Sequence, residues 1–156
     1  MSLNSIVVRA WQPQDIEAVH ALIVELAIYE REPNAVINTP ALMFRDGFGE
    51  NPIFGCFVAE KNNQVVGMAI YYMRYSTWKG RCLYLEDIVI THSERRQGIG
   101  ELLFNACKAE AQRRECRMMQ WAVLDWNEPG ITFYKKIGGV AFEPEWVTCK
   151  LFFEQT

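Results

Sequence analysis

The chain has 156 residues, 50% of them apolar, and carries 16 Lys and Arg against 19 Asp and Glu for a formal charge of −3. A chain of this length buries roughly 70% of the surface that its unfolded form exposes, so a hydrophobic core can hold it without disulfide or metal staples. Its apolar runs are only a few residues long, far short of the ~20 that span a bilayer, which excludes a transmembrane helix.

Met1-Ser2-Leu3-Asn4 shows no basic start, apolar stretch or small-residue cleavage site, so the expected location is the cytoplasm. Ser5 to Trp11 reads as a first strand. Pro13 opens a helix whose apolar positions Ile16, Val19, Ile23, Leu26 and Ala27 follow the three-four spacing of one buried face, with His20 at its edge as a packing or surface residue. Thr39 to Phe48 reads as a second helix, closed by Gly47-Phe48-Gly49. Ile53 to Glu60, the polar turn Lys61-Asn62-Asn63-Gln64 and Val65 to Tyr75 predict an antiparallel hairpin. A strand from Arg81 to Thr91 leads through a charged loop into a helix from Gly98 to Arg114, and Met118 to Leu124 is a further strand. Asn127-Glu128-Pro129 is a strong helix start and Gly138-Gly139 a strong stop. Two last strands are expected, at Val140-Ala141-Phe142 and from Trp146 to Phe153. With no repeat or linker, this is one α/β domain, residues 1–156, with seven strands and four helices in the order β, α, α, three β, α, β, α, β, β.

Five scattered cysteines without a C-x-x-C pair, and only two histidines, fit reduced thiols packed as small hydrophobes and predict no metal site. The net charge argues against general binding to nucleic acid, and its distribution is uneven. Residues 1–78 hold eight acids and five bases, whereas residues 79–156 hold eleven of each.

The chemistry-bearing stretch is Tyr84-Leu85-Glu86-Asp87-Ile88-Val89-Ile90, followed by Arg95-Arg96-Gln97-Gly98-Ile99-Gly100 at the mouth of a helix. A strand, a glycine loop and a helix start leave several N–H groups aimed at one spot where the helix dipole favours an anion. Gly98 and Gly100 let the backbone approach a bulky diphosphate, while Arg95 and Arg96 add positive charge at the rim. The loop is not a Walker A motif, because Gly-Lys-Ser/Thr is absent. It is not a Rossmann fingerprint either, because Leu103 stands where the third glycine belongs.

The Arg95-to-Gly100 loop after a strand resembles the pyrophosphate motif of the GNAT superfamily of N-acetyltransferases, and the element order is similar to that fold along essentially the whole chain. The blocks Leu26-Ala27-Ile28-Tyr29-Glu30, Asp46-Gly47-Phe48-Gly49-Glu50, Tyr84-Leu85-Glu86-Asp87 and Trp126-Asn127-Glu128-Pro129, the last running on to Phe133-Tyr134-Lys135-Lys136, resemble the diamine acetyltransferases that act on spermidine, spermine or thialysine. The resemblance implies a mixed, mostly antiparallel sheet flanked by helices, acetyl-CoA as donor, a primary amine as acceptor, direct attack in a ternary complex and a homodimer. It also implies that no nucleic acid, membrane or metal takes part.

Carried over residue by residue, the resemblance places the pantetheine arm along the backbone of Ile88 and Ile90. It places the pyrophosphate at the amides of Arg96, Gln97, Gly98 and Gly100 beside Arg95, with Asn127 as both helix cap and pantetheine contact. Tyr134 matches the tyrosine beside the thioester sulfur, where a phenol can protonate a departing thiolate because their ordinary pKa values, about 10 and about 8.5, are close. An ammonium must lose a proton before it attacks, and Glu86 is the candidate base, acting through a water. Strand alternation turns Glu86 and Asp87 to opposite faces unless a bulge intervenes. For the acceptor's cationic end the resemblance points to Glu30, Trp78, Asp87 and Trp146, with Glu143 and Glu145 behind them. Polyamine enzymes of this family carry an acid just before the position of Trp78, but this chain reads Ser76-Thr77, which leaves room for a shorter lysine-like amine. Two alternatives stay open: acetylation of a protein or peptide amine, and a non-catalytic acyl-CoA-binding module.

Overall fold

The structure is a computed structural model that describes residues 5–154; the reading of Met1-Ser2-Leu3-Asn4 as carrying no leader lies outside the described residues. The chain divides into two units, residues 1–121 and 122–156.

In the first unit the elements are β1 (Ile6–Ala10), α1 (Ile16–Tyr29), α2 (Pro40–Phe48), β2 (Gly55–Lys61), β3 (Gln64–Ser76), β4 (Gly80–Ile90), α3 (Ile99–Arg113) and β5 (Met118–Gln120). One sheet runs in the order β1-β2-β3-β4-β5. Its first three pairings are antiparallel, and β4 pairs with β5 in parallel because α3 carries the chain across between them.

The two sheet faces divide the core. Met68, Ile70 and Val89 pack with Val19 and Leu22 of α1 and Met43 of α2. On the opposite face, Gly67 leaves the room that Leu103 of α3 uses, since a Cβ there would come within 3.3 Å of that side chain. The three-four stripe of α1 behaves as expected, with Ile16, Val19 and Leu22 buried and Ile23 and Leu26 packed at the margin. Thr39 caps α2 by accepting the Leu42 N–H at 3.2 Å. His20 spends its Nε2 on the Asn38 carbonyl at 2.8 Å, the surface role expected of it. Cys56, Cys82 and Cys107 are buried and unpaired, as small core hydrophobes.

In the second unit α4 spans Glu128–Ile137. Asn127 caps it by accepting the Gly130 N–H at 3.1 Å, Pro129 occupies its first turn, and Gly138 ends it at φ 82°.

Three sequence expectations need correction. The expected strand 118–124 is only Met118–Gln120, because its ladder ends at Tyr84, where β4 is about to bulge. The expected strands at 140–142 and 146–153 are not strands, so the described residues form five strands instead of seven. Trp146, Val147, Leu151, Phe152 and Phe153 are 69–84% exposed. The apolar residues of this segment come in consecutive groups without period-two alternation, and a strand with no ladder partner gains nothing from β propensity.

Candidate active site

The register of β3 on β4 runs Met68 with Val89, Ala69 with Ile88 and Ile70 with Asp87, then slips so that Tyr71 faces Leu85. Glu86 is therefore the extra residue of a β-bulge. A bulge lets two successive side chains share one face, and the Tyr72 hydroxyl donates to Glu86 Oε1 at 3.3 Å, which fixes Glu86 on the Tyr72 face. Asp87, opposite Ile70, and Tyr84, opposite Tyr72, lie on that face as well. Tyr72 and Tyr84 stack with ring centroids 5.3 Å apart. The face thus carries two carboxylates and an aromatic pair, and α1 ends over it with Glu30, whose charge acts on Asp87.

This crowding has an electrostatic consequence. The Asp87 carboxyl is pushed up to about 7, first by burial, then by the charges of Glu86 and Glu30. Burial also raises Glu30. The Tyr72 phenol is pushed up to about 12, by burial and then by Glu86, so it stays a donor throughout the neutral range. At neutral pH the site therefore combines negative charge with one carboxylate poised to take or release a proton, which suits an ammonium that must be deprotonated.

Beyond the bulge, β5 pairs only with Cys82, Leu83 and Tyr84, so the rest of this β4 edge has no ladder partner among the described residues. The Thr91 N–H bonds to the Val66 carbonyl of β3, so by alternation Ile88 and Ile90 turn their backbone groups towards the open edge. This is the disposition that an added extended ligand needs. The Ile90 carbonyl already accepts from Arg95 Nε at 3.2 Å.

The loop that follows is braced from three sides. Glu25 of α1 accepts from Thr91 Oγ1 at 3.0 Å and from the His92 N–H at 2.8 Å. Lys61 at the end of β2 reaches Glu94 at 2.7 Å and Gln97 at 3.3 Å. The Arg95 guanidinium lies 5.3 Å from the Tyr29 ring centroid. At the mouth of α3, Gly98 takes φ 79° at the N-cap, and no side chain caps the helix there. A Cβ on Gly98 would meet nothing within 4 Å, so the loop opens outward. An uncapped N-terminus of a fifteen-residue helix, with Gln97, Gly98 and Gly100 at its mouth and Arg95 and Arg96 exposed beside it, suits a diphosphate. Arg96 holds φ 66°, a left-handed conformation unusual for a side chain of its size.

The structure thus gathers Glu30, Glu86 and Asp87, and separately Arg95, Arg96, Gln97, Gly98 and Gly100. It does not bring Trp78 to the carboxylates. Trp78 is 85% exposed in the β3–β4 turn, two residues before Gly80, and roughly 20 Å along the strand separates Gly80 from Asp87. In the second unit Tyr134 is buried on α4 with its ring edge-on to Phe133 at 5.3 Å, Asn127 serves as the cap, and Trp146, Glu143 and Glu145 are exposed. Sequence reasoning missed Tyr72, Tyr84 and Glu25. Period two along β4 groups Tyr84 with Glu86, and the bulge alone adds Asp87 to their face, whereas nothing local marks Glu25, because its partners lie more than sixty residues away.

Comparison with known proteins bears on the same stretches. The acetyltransferase (GNAT) family matches residues 17–139. The thialysine N-epsilon-acetyltransferase of Sus scrofa is 37% identical over 144 residues, covering 87% of this chain and 85% of that protein. The spermidine/spermine N(1)-acetyltransferase-like protein 1 of Homo sapiens is 34% identical over 92% of this chain, which spans 22% of that protein's length. Among solved structures, a possible acetyltransferase from Clostridium difficile 630 superposes with a TM-score of 0.79 at 17% identity, covering 95% of this chain and 99% of that one. The aminoglycoside N-acetyltransferase AAC(6')-Iy, solved in complex with CoA, gives a TM-score of 0.77 at 17% identity over 94% and 95%. At such identities these two structures show a shared fold.

Proposed function

We propose, for a chain that belongs to the acetyltransferase (GNAT) family, that it moves the acetyl group of acetyl-CoA to a primary amine of a small cationic substrate: a diamine, a polyamine or a lysine analogue. Acetyltransferases of this family use acetyl-CoA, so the enzyme class follows from membership. The observation that carries the acceptor reading is the convergence of Glu30, Glu86 and Asp87 on one face at the β4 bulge, beside an open strand edge and an uncapped helix N-terminus.

Acetyl-CoA supplies an acyl group activated as a thioester. The amides of Arg96, Gln97, Gly98 and Gly100, with Arg95 and Arg96 at the rim, hold its diphosphate, and the outward backbone of Ile88 and Ile90 takes its pantetheine arm. Asn127 is assigned a further contact to that arm. Glu30 and Asp87 attract the acceptor's positive charge, and Trp146 is assigned to its distal end, whereas Trp78, so far along the strand from Asp87, is assigned a contact only to an acceptor as long as a polyamine. Glu86, with a water, or Asp87 takes the ammonium proton, so that the nitrogen presents a lone pair. As the new carbon–nitrogen bond forms and the carbon–sulfur bond breaks, the Tyr134 hydroxyl gives its proton to the departing sulfur and the nitrogen gives up its second proton, which restores the phenol, leaving a neutral acetamide and free CoA. No metal is assigned a part. Residues 1–156 are taken as one domain acting as a cytoplasmic homodimer, apart from nucleic acid and membranes; no helix of the described residues is long and apolar enough to cross a bilayer.

The reading is tested by thiol release from acetyl-CoA across polyamines, thialysine, lysine and lysine-containing peptides. Turnover with the small amines supports it. Turnover confined to peptides gives the acceptor role to a protein substrate, and CoA binding without turnover on any amine leaves a binding module.

A further inference from the structure

β3 carries a side chain that the acceptor chemistry has not used. Arg74 lies two residues beyond Tyr72, opposite Cys82, and so shares the face that holds Tyr72, Tyr84, Glu86 and Asp87. It is exposed, and one guanidinium nitrogen donates to the Gln120 side chain on β5. Its charge acts on both tyrosines, lowering their phenol pKa values against the larger opposing effect of burial. The face therefore runs from three carboxylates, across two stacked rings, to a cation held in place at its far end.

The lengths are compatible. Four residues separate Ile70, opposite Asp87, from Arg74, about 13 Å along the strand. An arginine side chain spans roughly 6 Å from Cα to guanidinium, and an extended lysine-like amino acid spans ~7 Å from carboxylate to terminal nitrogen. A ligand with its amine among the carboxylates can thus present an anion to Arg74. A cation at that end repels the second ammonium of a diamine and pairs with a carboxylate, in the two-pronged geometry that a guanidinium favours.

Resting on the reading of this face as the acceptor site, we infer that Arg74 recognises a carboxylate at the acceptor's far end, and so selects amino acids with a side-chain amine over carboxylate-free diamines. The test uses matched acceptors: lysine, lysinamide, and 1,5-diaminopentane, which is lysine without its carboxylate. Each is assayed by thiol release with wild type, Arg74→Ala and Arg74→Lys. The expected result is that wild type prefers lysine to the other two by ~10- to 100-fold in kcat/KM, the range of one charge-assisted pair. Arg74→Ala then loses that preference through KM with kcat little changed, and Arg74→Lys restores part of it. Acetylation of all three acceptors with no preference for lysine in wild type overturns the inference and leaves the acetyltransferase reading standing. A preference that survives in Arg74→Ala does the same. The wild-type comparison stands without any variant, and failure to acetylate any amine removes the acceptor reading together with this one.

Discussion

Asp87 owes its poise to three causes acting in one direction: burial, Glu86 made its neighbour by the bulge, and Glu30 from α1. A carboxyl bound near pH 7 in the folded chain and near pH 4 in the unfolded one holds its proton more tightly when folded, so folding stability falls as pH rises between those values. Asp87→Asn is expected to raise stability at pH 8 by on the order of 1–3 kcal/mol, measured by denaturant unfolding, and to leave stability near pH 4 unchanged. The same substitution removes the limb of acceptor kcat/KM that rises through pH 7, because the ionised carboxylate is the form that accepts a proton. A variant no more stable at pH 8 than wild type would show that Asp87 carries no such cost. At the mouth of α3, Gly98→Ala places a side chain at φ 79° and is expected to cost about 1–2 kcal/mol in stability and to raise KM for acetyl-CoA more than it lowers kcat. Adjacent acids beside Leu85 and Ile88 were conspicuous in the sequence, but period two sends them to opposite faces. The bulge that reunites them is a property of the pairing with β3, which no local pattern encodes.

Among elements, the anion loop is held by what surrounds it. Glu25 bonds to Thr91 and His92 while Lys61 bonds to Glu94 and Gln97, so α1 and the β2–β3 hairpin both fix the chain between β4 and α3. Glu25 lies five residues, about 7.5 Å along the helix, before Glu30, so one helix positions both the loop proposed for the donor and a carboxylate proposed for the acceptor. Glu25→Ala is expected to raise KM for acetyl-CoA roughly tenfold, the loss of one or two charge-assisted bonds, with a smaller change in kcat. Equal losses in both parameters would give Glu25 a different part. A separate network ties β1 to the turn before α1. The buried Asp15 carboxylate takes two bonds from Arg9, at 2.7 and 3.0 Å, and one from the Gln12 N–H at 2.7 Å, which holds it below the usual carboxylate range. Its contribution to stability is fully present above pH 4 and lost as pH falls through the lowered value. Asp15→Asn is expected to cost about 3 kcal/mol at neutral pH and to flatten the acid limb of the unfolding curve. Helices were the most legible elements, because Thr39, Pro40, Asn127, Pro129 and Gly138 announce their ends. The last two strands were misread because strand residues declare a preference but not a partner, and residues 146–153 have no ladder in the described chain.

On the scale of the molecule, a net charge of −3 conceals an ordering: carboxylates gather at the β4 bulge and arginines at the mouth of α3, so the proposed anionic donor and cationic amine would have separate ends of one β4 segment. The exposed Trp146, Phe152 and Phe153 lead us to expect a homodimer, and sedimentation should give twice the mass of one chain, shifting towards the monomer when all three are changed to Ser. A monomeric wild type would contradict that expectation. The central claim is that the amine attacks the thioester directly while both substrates are bound. Initial rates of thiol release, measured against acetyl-CoA at several fixed concentrations of amine, test it most directly. The account predicts release that depends on the amine and double-reciprocal lines that intersect; parallel lines, or release indifferent to the amine, would contradict it.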